Sequence, residues 1–309
     1  MQRARLSPRE APSPREDEAA RRDREAACAA DTALFFPGLG HVCQGRTAEA
    51  ATLMSLGAAE LGTAVAVAVH RDEGLDGFSH PAAAVPLVGF QNVYLYSWAD
   101  AKFQEDRARH LPYVPQDTMA ELAYAPFNPS VLSEPDVWAI TLVSLAAGIG
   151  LSGLVDESLS TDDVGDEPNL FGKRLRPGIG YPLAGLTGVG LFEHVALGEE
   201  SIFRGTIQSE MARQADEDSA WVASSLVFGF AHAPNALALE PGDRVAYLAF
   251  GVPFITVLGS SLGLSYRLHD YSLAAPVAIH FWYDFLLSAT FFALHPQDSP
   301  LSARVSFAF

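Results

Sequence analysis

Six ionisable side chains lie within or at the end of apolar segments of this sequence. Ionisable groups inside a membrane span are energetically costly, and they usually mark a functional site. A desolvated carboxylate beside an imidazole can act as a general base, and hydrogen-bond donors held in a low dielectric can stabilise an oxyanion. We therefore interpret these side chains as one functional site. They are Glu199, Glu200, Arg204, His232, His280 and Asp284.

Helical spacing separates the roles of the two adjacent glutamates. Neighbouring residues on a helix point about 100° apart, so Glu199 and Glu200 cannot face the same point. Glu200 and Arg204 are four residues apart and can form an ion pair. We therefore predict a structural pair of Glu200 with Arg204, which leaves Glu199 available. His280 and Asp284 have the same spacing and share one helix face.

The segments that carry these residues are typical of a polytopic membrane protein. The chain has 309 residues, of which 49% are hydrophobic and 18% are charged. A single span needs about 20 mostly apolar residues. We therefore predict an all-α transmembrane bundle of about seven spans. The candidate segments are 51–69, 81–99, 137–155, 179–197, 220–239, 246–266 and 272–294.

The depth of each polar residue in its span is consistent with a single site. An α-helix rises about 1.5 Å per residue, so His232 and His280 lie roughly 16 and 12 Å into spans that start at the same membrane face. The span that begins near Ile179 arrives at that face from the other side and carries Glu199 in its last turns. We therefore expect these three side chains to converge.

Three ordered motifs resemble the CAAX-protease and bacteriocin-processing (CPBP, or Abi) family of intramembrane endopeptidases. The Ras-converting CAAX prenyl protease of eukaryotes belongs to the same group. The resemblance covers about residues 179–294. The motifs are Glu199-Glu200-x-x-Phe203-Arg204-Gly205, Phe228-x-x-x-His232 and His280-x-x-x-Asp284.

This resemblance implies a polytopic peptidase that hydrolyses a peptide bond near a membrane-embedded or lipidated segment of its substrate. Glu199 and His232 would activate water, and His280 and Asp284 would stabilise the oxyanion or hold the site. The last motif of the family often ends in asparagine. Asp284 keeps an acceptor there but replaces a neutral donor with a group that can be charged.

Two questions stay open at the level of sequence. Glu199, His232 and His280 are also the ligand types of a catalytic zinc site, so both a Zn²⁺ enzyme and a metal-free, glutamate-dependent enzyme fit the motifs. The alternative function is a catalytically silent membrane scaffold or bacteriocin-immunity protein of the same fold. Complete motifs favour the protease.

The resemblance suggests a division of the chain into three parts. Residues 1–32 are predicted to be a disordered polar tail, and 137–309 to be the peptidase domain. Residues 33–136 are predicted to be an N-terminal membrane region, with a re-entrant or two-span segment and a polar loop. Within it, His41 follows a Pro-Gly turn and is predicted to lie at the membrane interface. Lys and Arg placement predicts a cytoplasmic tail.

Composition also bounds the partners and the location. The net charge of −17 argues against nucleic acid. We expect a membrane-associated protein or peptide substrate, the lipid bilayer as surroundings, and a multi-pass location in a bacterial inner membrane. Two cysteines, Cys28 and Cys43, cannot build a disulfide framework or a cysteine metal site.

Overall fold

The computed structural model describes residues 32–70, 77–78, 80–155, 159–239 and 241–297. The predicted tail, 1–32, lies almost entirely outside these residues. Within them the chain is helical except for one two-stranded hairpin. The predicted all-α class is confirmed.

Helices of very different lengths make up the described part of the chain. They are α1 (Leu39–Cys43), α2 (Thr47–His70), α3 (Pro81–Ala108), α4 (Met119–Tyr124), α5 (Pro129–Leu132), α6 (Pro135–Val155), α7 (Pro177–Glu200), α8 (Ser209–Gln214), α9 (Glu217–Ala231), α10 (Asp243–Ala246), α11 (Val252–Leu268) and α12 (Ala274–Leu294). Short 3₁₀-helices occupy Ala125–Phe127 and Ala233–Ala238, and π-helices occupy Ser201–Gln208 and Tyr247–Gly251. The hairpin strands are β1 (Asn169–Leu170) and β2 (Lys173–Arg174).

Four helical segments are long and apolar enough to cross a membrane, by length and composition. The remaining three predicted spans coincide with α3, α7 and α9. Helix α9 has 15 residues and ends at Ala231, so it is shorter than the predicted segment 220–239. Four spans are thus supported, and about seven remains a prediction. The four segments are Thr47–His70, Pro135–Gly153, Asp243–Leu268 and Ala274–Leu294.

The turn before α2 is packed against α3. Gly38 has φ 86° and donates its N–H to Ser97 Oγ at 2.8 Å. His41 is fully buried, with Nε2 2.9 Å from Asp100 Oδ2. Asp100 thus supplies a buried polar partner for His41, and the interfacial position of His41 stays a prediction. Cys43 is disulfide-bonded.

Helix α7 lies between α3 on one side and α12 on the other. A side chain at Gly198 would come within 2.8 Å of the Asn92 backbone, so glycine permits the close crossing of α3 and α7. The polar segment after α3 also reaches this core. Asp117 accepts hydrogen bonds from Ser272 Oγ at 2.6 Å and from the Leu273 N–H at 2.8 Å. It thereby fixes the start of α12.

Helix α7 continues without a break into the π-helix and then into α8. The π-helical segment begins directly after Glu200. Stretches of π-helix are rare and frequently occur at functional sites. The Oγ atoms of Thr206 and Ser209 donate to the carbonyls of Ser201 and Arg204, five residues earlier. The π-helical segment thus begins beside Glu199 and Glu200.

Candidate active site

Glu200 and Arg204 form a buried ion pair within the site. Both side chains are almost completely buried, and Arg204 Nη1 lies 3.1 Å from Glu200 Oε1. Arg204 Nη2 also donates to the carbonyl of Gly259 at 2.9 Å. The guanidinium lies 4.2 Å from the ring centre of Phe228, a favourable cation–π distance. These contacts fix Arg204 beside Glu200.

His280 is held by the same glutamate. Its Nδ1 lies 2.7 Å from Glu200 Oε1. An ionised carboxylate only accepts, so Nδ1 carries the proton and donates. One oxygen of Glu200 therefore serves both Arg204 and His280. The other ring nitrogen, His280 Nε2, faces Glu199 Oε2 at 4.0 Å and Asp284 Oδ2 at 3.3 Å.

His232 is placed by the end of α9. The helix ends at Ala231 because Pro234 cannot continue it, and His232 is the C-cap residue. Its Nδ1 lies 2.8 Å from the Phe228 carbonyl, so Nδ1 donates. Tyr247 donates its hydroxyl to the His232 carbonyl at 3.1 Å and fixes the backbone. His232 Nε2 is therefore directed at Glu199 Oε2, 3.7 Å away.

The other end of α9 is also well defined. Asp216 is the N-cap, and its Oδ1 accepts from the N–H groups of Asp218 and Ser219 at 3.0 and 2.9 Å. The bond from Ser219 is the main reason why the pKa of the Asp216 carboxyl lies below its usual value. Helix α9 is thus fixed at both ends, which sets the position of His232.

Glu199 lies between the two imidazoles. Its Oε2 is buried and has no hydrogen-bond partner among the described residues. The gaps of 3.7 and 4.0 Å to the histidine Nε2 atoms are too long for direct hydrogen bonds. They are short enough for one water molecule to contact all three groups. A buried polar atom without a partner is uncommon and points to a catalytic role or to an ordered water.

A cavity of about 310 Å³ opens on Glu199, His232 and Asp284. We call it the Glu199 cavity. Its apolar walls come from α3, α7 and the segments next to them. Four polar lining residues were not predicted as site residues, although Gln91 and Asn92 were visible as polar positions in an apolar segment. The four are Gln91, Asn92, Asn235 and Ser288.

A second group of ionisable residues lies outside this cavity. His194 Nδ1 is 2.9 Å from Glu60 Oε1, and His194 Nε2 is 3.4 Å from Glu193 Oε2. Glu193 and His194 are on the same helix as Glu199, but neither they nor Glu60 line the Glu199 cavity. This group links α2 to α7.

The predicted zinc ligands do not have zinc geometry as the side chains are placed. Ligand atoms around a tetrahedral Zn²⁺ with bonds of about 2.0–2.1 Å are about 3.3 Å apart. The corresponding distances from Glu199 Oε2 are 3.7 and 4.0 Å. Within the described residues, no group of three or more His, Cys, Asp or Glu side chains is arranged to hold a metal.

The motifs also agree with a comparison against known protein families. Residues 182–286 match the type II CAAX prenyl endopeptidase Rce1-like family. The resemblance drawn from the three motifs is therefore confirmed for this segment, about a third of the chain. The CAAX prenyl endopeptidase match begins inside α7, ends inside α12 and contains all six predicted site residues. No curated protein and no solved structure matches the chain.

The family match and the four apolar helices agree with each other. Together they support a multi-pass integral membrane protein of the CAAX-protease type. The match does not extend to α2 and α3, although α3 contributes Gln91 and Asn92 to the Glu199 cavity.

Proposed function

We propose that this chain is an intramembrane endopeptidase that hydrolyses a peptide bond near a membrane-embedded or lipidated segment of a protein substrate. The observation that carries this proposal is the buried, unpartnered Oε2 of Glu199 between two imidazoles whose Nε2 atoms face it. Hydrolysis needs such a base within reach of one water molecule. The family match supports the same class of reaction.

In the proposed reaction, Glu199 accepts a proton from water as the water oxygen attacks the substrate carbonyl carbon. His232 orients that water, because its Nδ1–H is committed to the Phe228 carbonyl and only Nε2 is directed at the cavity. The tetrahedral intermediate collapses when the C–N bond breaks. The proton held by Glu199 then passes to the leaving amine, so the base is regenerated.

His280 and Asp284 are assigned to the oxyanion in this proposal. His280 donates Nδ1–H to Glu200, so it stabilises the oxyanion as an imidazolium that carries a second proton on Nε2. Asp284 is 3.3 Å from the same Nε2. Preplaced donors in a site from which water is excluded stabilise charge that develops in the transition state. Glu200 acts as a positioning residue, because it holds both His280 and Arg204.

A cleavage assay with the full chain in lipid nanodiscs tests this function. Candidate substrates are a prenylated C-terminal peptide, its unprenylated copy and a lipidated leader peptide. In H₂¹⁸O, hydrolysis places one ¹⁸O atom in the new carboxyl group, which mass spectrometry detects. If the folded protein yields no labelled product from any of these substrates, the silent-scaffold or immunity function replaces the protease.

Replacing Asp284 with asparagine tests its role. We expect Asp284→Asn to retain at least the parent rate, because the amide keeps an acceptor and adds a neutral donor. Asp284→Leu should lower kcat about 100- to 1,000-fold, the range for the loss of one oxyanion-stabilising group. Initial rates of both variants under saturating substrate decide between these outcomes. A slow Asp284→Asn with an active Asp284→Leu would remove position 284 from oxyanion binding.

Metal dependence is a separate measurement. The reaction proposed here runs through Glu199 and water, and a Zn²⁺ enzyme stays the alternative prediction. We expect purified active protein to contain far less than one equivalent of zinc and to keep its activity in a strong chelator. One equivalent of zinc, with activity lost on chelation and restored by Zn²⁺, would assign Glu199, His232 and His280 as ligands.

The proposed function includes an orientation and a location in the membrane. Most Lys and Arg residues of the chain lie in the tail and in the alternate loops on the same side of the predicted spans. We therefore propose that the tail is cytoplasmic and that the protein lies in a bacterial inner membrane. The Glu199 cavity would then be reached from the cytoplasmic half of the bilayer.

A further inference from the structure

A second, larger pocket lies at the other end of α7 from the candidate active site. Its volume is about 560 Å³, within the range of about 300–1,000 Å³ that is usual for ligand sites. We call it the distal pocket. Leu183 lines it and precedes Glu199 by 16 residues, a helical rise of about 24 Å. The distal pocket is formed by Ala66, Val67, His70, His80, Ala82, Leu170, Phe171, Lys173, Leu175 and Leu183.

The β1–β2 hairpin covers one side of the distal pocket. Its turn has positive φ at Phe171 (53°) and Gly172 (80°), as a tight hairpin turn requires. Leu170 is 2% exposed and belongs to a small cluster with Ala184 and Phe292, which anchors the hairpin to α7 and α12. The hairpin therefore holds Phe171 and Lys173 in place against the pocket.

The charged lining of the distal pocket is entirely basic. Lys173 and two histidines line it, and none of the described lining residues is acidic. Lys173 forms no ion pair within the described part of the chain, whereas Lys102, the other lysine of the sequence, pairs with Asp106 at 3.1 Å. Lys173 is exposed where it lines the pocket, and in a protein of net charge −17 an exposed lysine without an ion pair among the described residues favours an anionic ligand.

The position of the pocket indicates where that ligand comes from. His70 is the last residue of a candidate membrane span, Thr47–His70. His80 is the N-cap of α3 and accepts the Ala82 N–H through Nδ1 at 3.1 Å. The pocket thus lies where helices leave the apolar layer, and its apolar side includes Val67 and Leu183. Anionic head groups lie at this level, with acyl chains below them.

We propose that the distal pocket binds one anionic glycerophospholipid, with the phosphate near Lys173 and an acyl chain against Val67 and Leu183. Lys173 supplies the charge, and His70 and His80 line the same end of the pocket. The bound lipid would contact the hairpin and helices α2, α3 and α7 at the same time, and would stabilise their packing. This site is independent of the proposed hydrolysis, because it lies some 24 Å along α7 from Glu199.

The test compares lipids and matched variants of the full chain. Purified protein is titrated with phosphatidylglycerol or phosphatidylcholine in mixed micelles, and bound lipid is counted by native mass spectrometry. We expect phosphatidylglycerol to bind more tightly and Lys173→Gln to weaken it about fivefold, as one basic residue near a head group does. Arg174→Gln is the control, because Arg174 is adjacent and basic but does not line the pocket.

Several outcomes would overturn the proposal. If Lys173→Gln and Arg174→Gln weakened phosphatidylglycerol binding equally, the lipid would be attracted by diffuse surface charge and not by the pocket. Equal affinity for phosphatidylcholine would remove the role of the anionic head group. If inorganic phosphate displaced the lipid completely at the same concentration, the acyl chain would contribute nothing. Leu183→Trp fills the apolar part, and unchanged lipid binding by that variant, if folded, would also contradict the site. Glu199→Gln should bind the lipid normally, which separates this result from the fate of the protease.

Discussion

Glu199→Gln should abolish peptide cleavage while leaving the protein folded in the membrane. The amide keeps the shape of the carboxylate but cannot accept a proton from water. A general base contributes about 10²- to 10⁴-fold to a rate, so we expect kcat to fall by at least that range. Product formation in H₂¹⁸O, with thermal unfolding of the same preparation, measures both effects.

Glu193→Gln is the matched control for this result. Glu193 lies on the same helix and is also partly buried, but it pairs with His194 and does not line the Glu199 cavity. We expect it to cleave at a rate close to that of the parent protein. If Glu199→Gln cleaves as fast as Glu193→Gln, Glu199 is not the base.

Arg204→Ala should strongly destabilise the protein. Glu200 and Arg204 are 0% and 1% exposed, so the change leaves a buried carboxylate without its cation. Breaking a buried pair by removing one partner costs about 3–5 kcal/mol. The variant also loses the bond to the Gly259 carbonyl and the contact with Phe228. Unfolding in detergent by heat, and the yield of membrane-inserted protein, measure the loss.

Two further variants separate this effect from a general loss of charge. Arg267→Ala removes an ion pair to Asp218, an exposed partner, and should cost less than about 1 kcal/mol. Adding Glu200→Gln to Arg204→Ala should restore part of the stability, because the amide leaves no unpaired buried charge. If Arg204→Ala is as stable as Arg267→Ala, the buried pair does not hold the fold.

Local sequence spacing is enough to predict the pairing of Glu200 with Arg204, because an i,i+4 contact depends only on near neighbours. The contact between Glu200 and His280 depends on how α7 packs against α12, 80 residues later in the chain. No helical periodicity contains that information, so Glu200 was assigned to one partner and not to two.

Long-range packing also explains what the sequence does not reveal. The contact of His41 with Asp100 joins residues on different helices, 59 positions apart. Gln91 and Asn92 reduced the apolar character of a predicted span, yet their contribution to the Glu199 cavity depends on the α3–α7 crossing at Gly198. The resemblance alone could not reveal this, since the family match begins at residue 182.

The α3–α7 crossing limits how far the protein can be shortened. A fragment of residues 137–309 would keep all three motifs but lose the α3 wall of the Glu199 cavity, together with Asp117 at the start of α12. Lipid or detergent would then reach Glu199 from the side that Asn92 now covers. We expect such a fragment to be inactive even when it inserts, and co-expression with residues 33–136 to restore cleavage. A shortened version of this protein would therefore have to retain α3, because this helix forms part of the wall of the Glu199 cavity.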